Sequence, residues 1–134
     1  MSKSNLILIG AGGHAHSCID VIELLGSFKI AGLIGTEEEQ QNECIGYRVI
    51  GTDLDLPKFL EQFQYALVTV GQIESFIVRQ RLFGQAESLG FKLPAIISPT
   101  AHVSRCAVVG SGTIVMHGAI VNAGARVGNN CIIN

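Results

Sequence analysis

In the last quarter of the chain a branched aliphatic returns at every sixth position: Ile97, Val103, Val109, Val115, Val121, Val127 and Ile133. Four positions after each of the first six stands a small residue, at Ala101, Ala107, Thr113, Ala119, Ala125 and Cys131. The slots between are rich in turn formers, as at Gly110, Gly112, Asn122, Gly124 and Gly128. A period of six fits neither an α-helix nor a two-faced strand. It fits a chain that turns a corner every six residues and puts one aliphatic and one small side chain inward on each side, the pattern of a hexapeptide β-helix. Three such units close one triangular coil, so the segment 97–134 supplies about two coils. Coils stacked about 4.8 Å apart leave unpaired backbone groups at an open end. Asn134 follows an inward Ile133 without a capping segment, so the expectation is a truncated β-helix resting on the rest of the chain or on another copy.

A length of 134 residues allows one ordinary domain, or a small domain with part of another. With 48% hydrophobic residues a core can form, and a net charge of −2 gives no footprint for nucleic acid or anionic lipid. No run approaches the roughly 18 to 20 apolar residues of a membrane span. The N-terminus enters a strand without a secretory signal, so a cytoplasmic location is expected. Cys18, Cys44, Cys106 and Cys131 are dispersed and lack CxxC spacing, which argues against zinc and against a designed disulfide. Cys18 and Cys131 read as small buried apolar residues.

Leu6-Ile7-Leu8-Ile9 is the continuous apolar run of a parallel strand covered on both faces. It leads into Gly10-Ala11-Gly12-Gly13-His14-Ala15, then into a helix reaching about Leu25, with Gly26 as its stop. A second strand over Lys29–Ile34 completes a βαβ unit, and G-x-G-x-x-A matches the dinucleotide fingerprint at its usual place. Gly10 permits the tight turn, Gly12 and Gly13 let backbone N–H groups approach a ligand, and the helix N-terminus favours a phosphate. The same residues would also serve a strand-to-helix turn that binds nothing. A dinucleotide site expects an acid at the end of the second strand. Here Gly35-Thr36 occupies it and Glu37, Glu38 and Glu39 follow in a loop, which weakens the case for NAD.

Tyr47–Thr52 reads as a short extended piece, and Pro57 opens a helix to about Phe63. Tyr65–Val70 is a third buried strand ended by Gly71-Gln72, and a longer helix runs from about Glu74 to Leu89 with Gly90 as its stop. Alternating strands and helices imply a parallel sheet with binding at the strand C-termini, which gathers Gly10 to His14, Gly35 and Gly71-Gln72. The boundaries read 1–95 for this α/β domain and 96–134 for the repeat. The first is too short for a double dinucleotide fold and suits one nucleotide half-site.

His14 stands in the glycine loop, where it is either a donor to a phosphate or sugar or a solvated first-turn residue. His16 does not share a helix face with it, so the two make no metal pair, and no metal is expected. His102 should point outward, and His117 reads as a solvated residue on the coil. Arg79 and Arg81 read as a solvated helix face rather than an anion clamp.

The combination of GAGGHA after the first strand with a hexapeptide repeat after residue 95 resembles the sugar O/N-acetyltransferases of the sialic acid O-acetyltransferase and UDP-4-amino-sugar N-acetyltransferase family. Gly46-Tyr47-Arg48-Val49-Ile50-Gly51, Val70-Gly71 and Ile97-Ser98-Pro99-Thr100-Ala101 are similar to that family's recurring phrases. The resemblance implies a small Rossmann-like sheet domain followed by the first coils of a left-handed parallel β-helix. It implies an enzyme of surface glycan biosynthesis that moves an acetyl group from acetyl-CoA to an amine or hydroxyl of a nucleotide-activated sugar, a UDP-sugar above all, or of sialic acid, with no metal, as a trimer. Gly10, Gly12, Gly13 and His14 would approach the pyrophosphate and sugar, and Gly35, Thr36, Gly71 and Gln72 the nucleotide. Family members often carry Asp at the end of the second strand and Asn or Asp after the third strand's glycine, where Gly35-Thr36 and Gln72 stand here. The family's general base is a coil histidine, usually followed by an acid, on the rung after Asn129–Asn134. The resemblance therefore puts the catalytic histidine beyond Asn134, and His117 comes too early to match it. The alternatives are a non-catalytic UDP-sugar-binding or oligomerisation module and, more remotely, a fragment of an NAD-dependent oxidoreductase.

Overall fold

The apolar run at the start of the chain becomes β1 (Ser4–Ile9), an inner strand of a five-stranded sheet. The computed structural model describes residues 3–72 and 75–134. β1 pairs in parallel with β2 (Phe28–Ile34) on one side and with β5 (Tyr65–Val68) on the other. Beyond β2 lies β4 (Tyr47–Gly51), also parallel, and β3 (Glu43–Cys44) closes the edge as its antiparallel partner. The sheet is thus mixed rather than purely parallel, because the piece read only as extended pairs with β2 and carries a short hairpin partner.

Both faces of the sheet are covered, which explains why β1 does not alternate in polarity. Leu6 and Leu8 face α1 (Gly13–Leu25), packing with Ala15, Cys18, Ile19 and Ile22. Ile7 and Ile9 face the opposite layer, with Leu56 and Phe59 of α2 (Leu56–Phe59) and Leu82 and Ala86 of α3 (Ile77–Leu89). Gly26 ends α1 in the left-handed region at φ 76°, its N–H bonded to Ile22 O. The α2 helix stops at Phe59, earlier than the expected Phe63, and continues only as turns. The α3 helix begins at Ile77; Ile73 and Glu74, where its start was expected, lie outside the described residues.

The repeat forms seven two-residue strands, β6 (Ile96–Ile97), β7 (His102–Val103), β8 (Val108–Val109), β9 (Ile114–Val115), β10 (Ile120–Val121), β11 (Arg126–Val127) and β12 (Ile132–Ile133). They pair in parallel on three faces at an offset of 18 residues: Ile96 with Ile114 and Ile114 with Ile132, His102 with Ile120, and Val108 with Arg126. These small parallel sheets fit the opening coils of a left-handed β-helix. The aliphatic and small positions do turn inward, with Val115, Ala119 and Val121 fully enclosed and Ile97, Val103, Val109, Val127 and Ile133 partly so. Cys131 is only half-buried, which corrects its reading as a core residue. The inward Thr113 is tolerated because its hydroxyl donates to Gly128 O at 2.7 Å and accepts from Cys131 N at 2.9 Å. Corners recur in the left-handed region every sixth residue, at Gly112, Gly118, Gly124 and Asn130. Ile96 and Ile114 join the α1 side of the sheet core, so the coil packs on that helix.

Candidate functional site

The C-terminal ends of β1, β2 and β5 open into a cleft of about 1000 Å³. Its floor is the turn between β1 and α1. Gly10 has φ +137°, and a Cβ there would lie 2.7 Å from Thr69 C and Val70 N, so no side chain fits. Thr69 locks this crossing by donating its hydroxyl to Gly10 O at 2.8 Å. Gly12 and Gly13 are different, because a Cβ on either would meet no atom within 4 Å. No side chain caps α1 and its first turn holds no acid, so its free N–H groups and dipole remain available to an anion.

All eight residues singled out from the sequence, Gly10, Gly12, Gly13, His14, Gly35, Thr36, Gly71 and Gln72, line this one cleft. Sequence reasoning missed its other walls. Ile132 and Asn134 bring the start of the third coil to the cleft, and Asp53, Arg81 and Glu39 supply charge. Glu39 answers the question of the missing acid. Its Oε1 accepts from Thr36 N at 2.8 Å, which returns a carboxylate to the end of β2 from three residues downstream. The signal was legible, since Thr36-x-x-Glu39 has capping-box spacing. Arg81, read as solvated, donates from Nη1 to Asp53 Oδ2 at 3.0 Å across the rim.

His14 is half-buried and packs against Gly71, whose Cβ would come 3.3 Å from that of His14. Burial first, and then the charge of Arg79, hold its pKa below the ordinary value. Burial pushes the Cys18 thiol up to about 12, so it keeps its proton. With Sγ 3.2 Å from His14 Nε2, the protonated thiol can donate to that nitrogen in the tautomer that carries the imidazole hydrogen on Nδ1. The depressed pKa means that the unfolded chain takes up a proton first as pH falls below about 6.5. The stability His14 contributes is therefore full above that pH and declines on acidification through the folded pKa. His14→Gln should flatten that part of a plot of Tm against pH; an unchanged slope would show that His14 has no part in it.

Two readings need correction. Arg79 is not solvated: it is 1% exposed and donates to Val68 O, Val70 O and Asn130 O at 2.9 to 3.0 Å. His117 is not simply solvated either. Its Nδ1 lies 2.5 Å from the buried Ser98 Oγ and 3.2 Å from Thr100 Oγ1, and its Nε2 lies 2.7 Å from Asp20 Oδ2 on α1. The ring clasps the coil to the helix, with both nitrogens engaged. Because Asp20 is largely exposed, the clasp should be worth only about 1 kcal/mol, read as the destabilisation of His117→Ala in urea. A double-mutant cycle with Asp20→Ala should show coupling, and strict additivity would exclude the clasp. His16 and His102 are exposed. Among the described residues no cluster of three or more His, Cys, Asp and Glu could hold a metal, and no helix is long and apolar enough to cross a membrane.

Residues 5–86 match the family model described as the PglD N-terminal domain. Comparison with curated proteins gives no match. Among solved structures, PerB from Caulobacter crescentus, in complex with CoA and GDP-perosamine, is 32% identical with a TM-score of 0.88, over 99% of this chain and 61% of PerB. The acetyltransferase domain of PglB from Neisseria gonorrhoeae FA1090, in complex with acetyl coenzyme A, is 35% identical with a TM-score of 0.84, over 99% of this chain and 62% of that domain. A Rex-family repressor, RSP, in complex with NAD+ and operator DNA, shares the fold alone, at 12% identity and a TM-score of 0.53. The chain thus spans about three fifths of the length of the PerB and PglB chains.

Proposed function

The chain belongs to the family of the PglD N-terminal domain, and on that premise we propose that it acts in acetyl-CoA-dependent N-acetylation of a nucleotide-activated amino sugar. The observation that carries the reading is the cleft itself, where the uncapped N-terminus of α1 and the open Gly12-Gly13 backbone meet two residues of the coil. In this reading the diphosphate lies on Gly12 and Gly13, and the nucleoside lies along Gly35, Thr36 and Gly71-Gln72, with Glu39 taking the ribose hydroxyls. His14 supports the diphosphate or the sugar with its Nδ1 hydrogen, and the sugar reaches toward Ile132 and Asn134.

The sugar amine adds directly to the acetyl thioester carbonyl, a general base takes the amine proton, and the C–S bond breaks as that proton passes to the departing thiolate, so that CoA leaves as the thiol. No residue of this chain is assigned as that base. His117 already spends both ring nitrogens on Ser98 and Asp20. The base of the nucleotide is the finer point. The sequence resemblance favours uridine, whereas PerB was crystallised with GDP-perosamine. Assembly as a trimer is part of the same proposal, supported by the exposed apolar residues Val108 and Ile120 on the outer faces of the coil.

Thermal-shift titration tests the reading. A GDP- or UDP-amino sugar at about 100 times its Kd should add roughly 2.7 kcal/mol to the native state. NAD should add nothing. If NAD stabilises the fold and neither nucleotide sugar does, the acetyltransferase reading fails. Sedimentation under the same conditions should give three copies, and a monomer at all concentrations would remove the trimer.

A further inference from the structure

We propose that Arg79 is a fixed, buried counter-charge for the diphosphate of the nucleotide sugar, acting through the floor of the cleft without touching the ligand. The inference rests on the reading of the cleft as a nucleotide-sugar site.

The guanidinium sits in the first turn of α3, behind the end of β5. Nη1 donates to both Val68 O and Val70 O at 2.9 Å, and Nε donates to Asn130 O at 3.0 Å. All of these acceptors are neutral carbonyls. Among the described residues no carboxylate pairs with Arg79, and its Nη2 has no partner at all. Burial lowers its pKa from the usual value, yet an arginine does not give up its proton in a folded protein. Among the described residues, then, a whole charge is held out of water without an opposite one, an arrangement that is costly unless something compensates it. A neutral amide such as glutamine has two N–H donors and could bridge Val68 O and Val70 O at lower cost, so those two bonds by themselves do not account for a cation.

The position of the charge does account for it. Val70 O accepts from the guanidinium, and the next residue, Gly71, lines the cleft beside His14. In the planar Val70–Gly71 peptide the N–H lies on the side opposite the C=O, away from Arg79. A cation on the carbonyl polarises that peptide and strengthens the N–H as a donor. The same field reaches His14 and Cys18 on the first turns of α1, where it contributes to the lowered pKa of His14. The cleft wall needs such help. Its charged lining residues among those described are Glu39, Asp53 and Arg81, and Arg81 is already neutralised by Asp53. An incoming diphosphate would otherwise meet a wall with one carboxylate in excess.

The test compares GDP and UDP with guanosine and uridine by calorimetry on the full chain. Arg79→Gln should weaken the better diphosphate about tenfold or more while leaving its nucleoside unchanged, and Arg79→Lys should recover most of the loss. In the ligand-free protein, NMR titration of His14 should show its pKa rising in Arg79→Gln, which a purely mechanical pin would not cause. Equal weakening of diphosphate and nucleoside in folded Arg79→Gln, or an unmoved His14, would overturn the proposal. If both variants fail to fold, the wild type decides. A buried charge is poorly screened, so the preference for diphosphate over nucleoside should persist in 0.5 M salt, and its collapse there would assign the preference to exposed groups. Glu74, nearby in sequence and outside the described residues, provides a control. If Glu74→Gln raises diphosphate affinity, the counter-ion is Glu74 and the proposal falls. Should wild-type protein bind neither diphosphate, it is the nucleotide-sugar reading that fails, whereas binding that ignores Arg79 sinks the counter-charge alone.

Discussion

Gly10→Ala is expected to cost about 3 kcal/mol or more, because it adds backbone strain to a steric clash. At φ +137° an L-residue is strained, and its Cβ would stand 2.7 Å from backbone atoms of Thr69 and Val70, which cannot swing aside. Relief would have to part β1 from β5 at the centre of the sheet. Gly12→Ala makes the opposite case. Its backbone, at φ −93° and ψ −155°, is open to any residue, and its Cβ would project into empty space. Stability should change by less than about 0.5 kcal/mol while, on the proposed function, nucleotide-sugar binding is lost, since the methyl would stand where the backbone N–H groups are proposed to meet the diphosphate. Urea denaturation and calorimetry on the two variants separate these roles. A stable Gly10→Ala, or a Gly12→Ala that binds normally, would refute the division of the loop into a structural and a ligand-facing half.

Ile114→Ala should cost about 2 to 4 kcal/mol. Ile114 is completely buried, pairs with Ile96 on one side and Ile132 on the other, and belongs to the core cluster that includes Leu6 and α1. Its loss leaves a cavity where coil, helix and sheet meet, so the coil should become sensitive to protease before the sheet does. Ile120, six residues on and 65% exposed, is the internal control, and alanine there should change monomer stability by no more than about 0.5 kcal/mol. If the two substitutions cost the same, packing of the coil on α1 is not what stabilises it.

The repeat and the glycine loop were readable because each is a local pattern with one geometric solution. A six-residue period fixes which side chains turn inward, and the observed offset of 18 residues between paired strands follows from three such units per turn. The left-handed corners at Gly112, Gly118 and Gly124 belong to the same rhythm, with Asn130 in the fourth place. The gathering of Gly10 to His14, Gly35 and Gly71-Gln72 in one cleft follows from parallel strand order.

What the pattern could not give depends on which surfaces meet. Arg79 lies between Val78 and Gln80 on a helix with mixed polarity, and nothing local says that a coil corner 51 positions away will cover it. His117 and Asp20 are 97 positions apart, so their pairing exists only once the coil docks on α1. The same docking brings Ile132 and Asn134 to the cleft. By itself the sequence determined the coil, the sheet and the loop between β1 and α1, because periodicity and glycine act through the backbone of neighbouring residues. Only the tertiary structure decided where a buried cation, a clasping histidine and the far wall of the cleft would be, because those follow from packing between segments that share no local pattern.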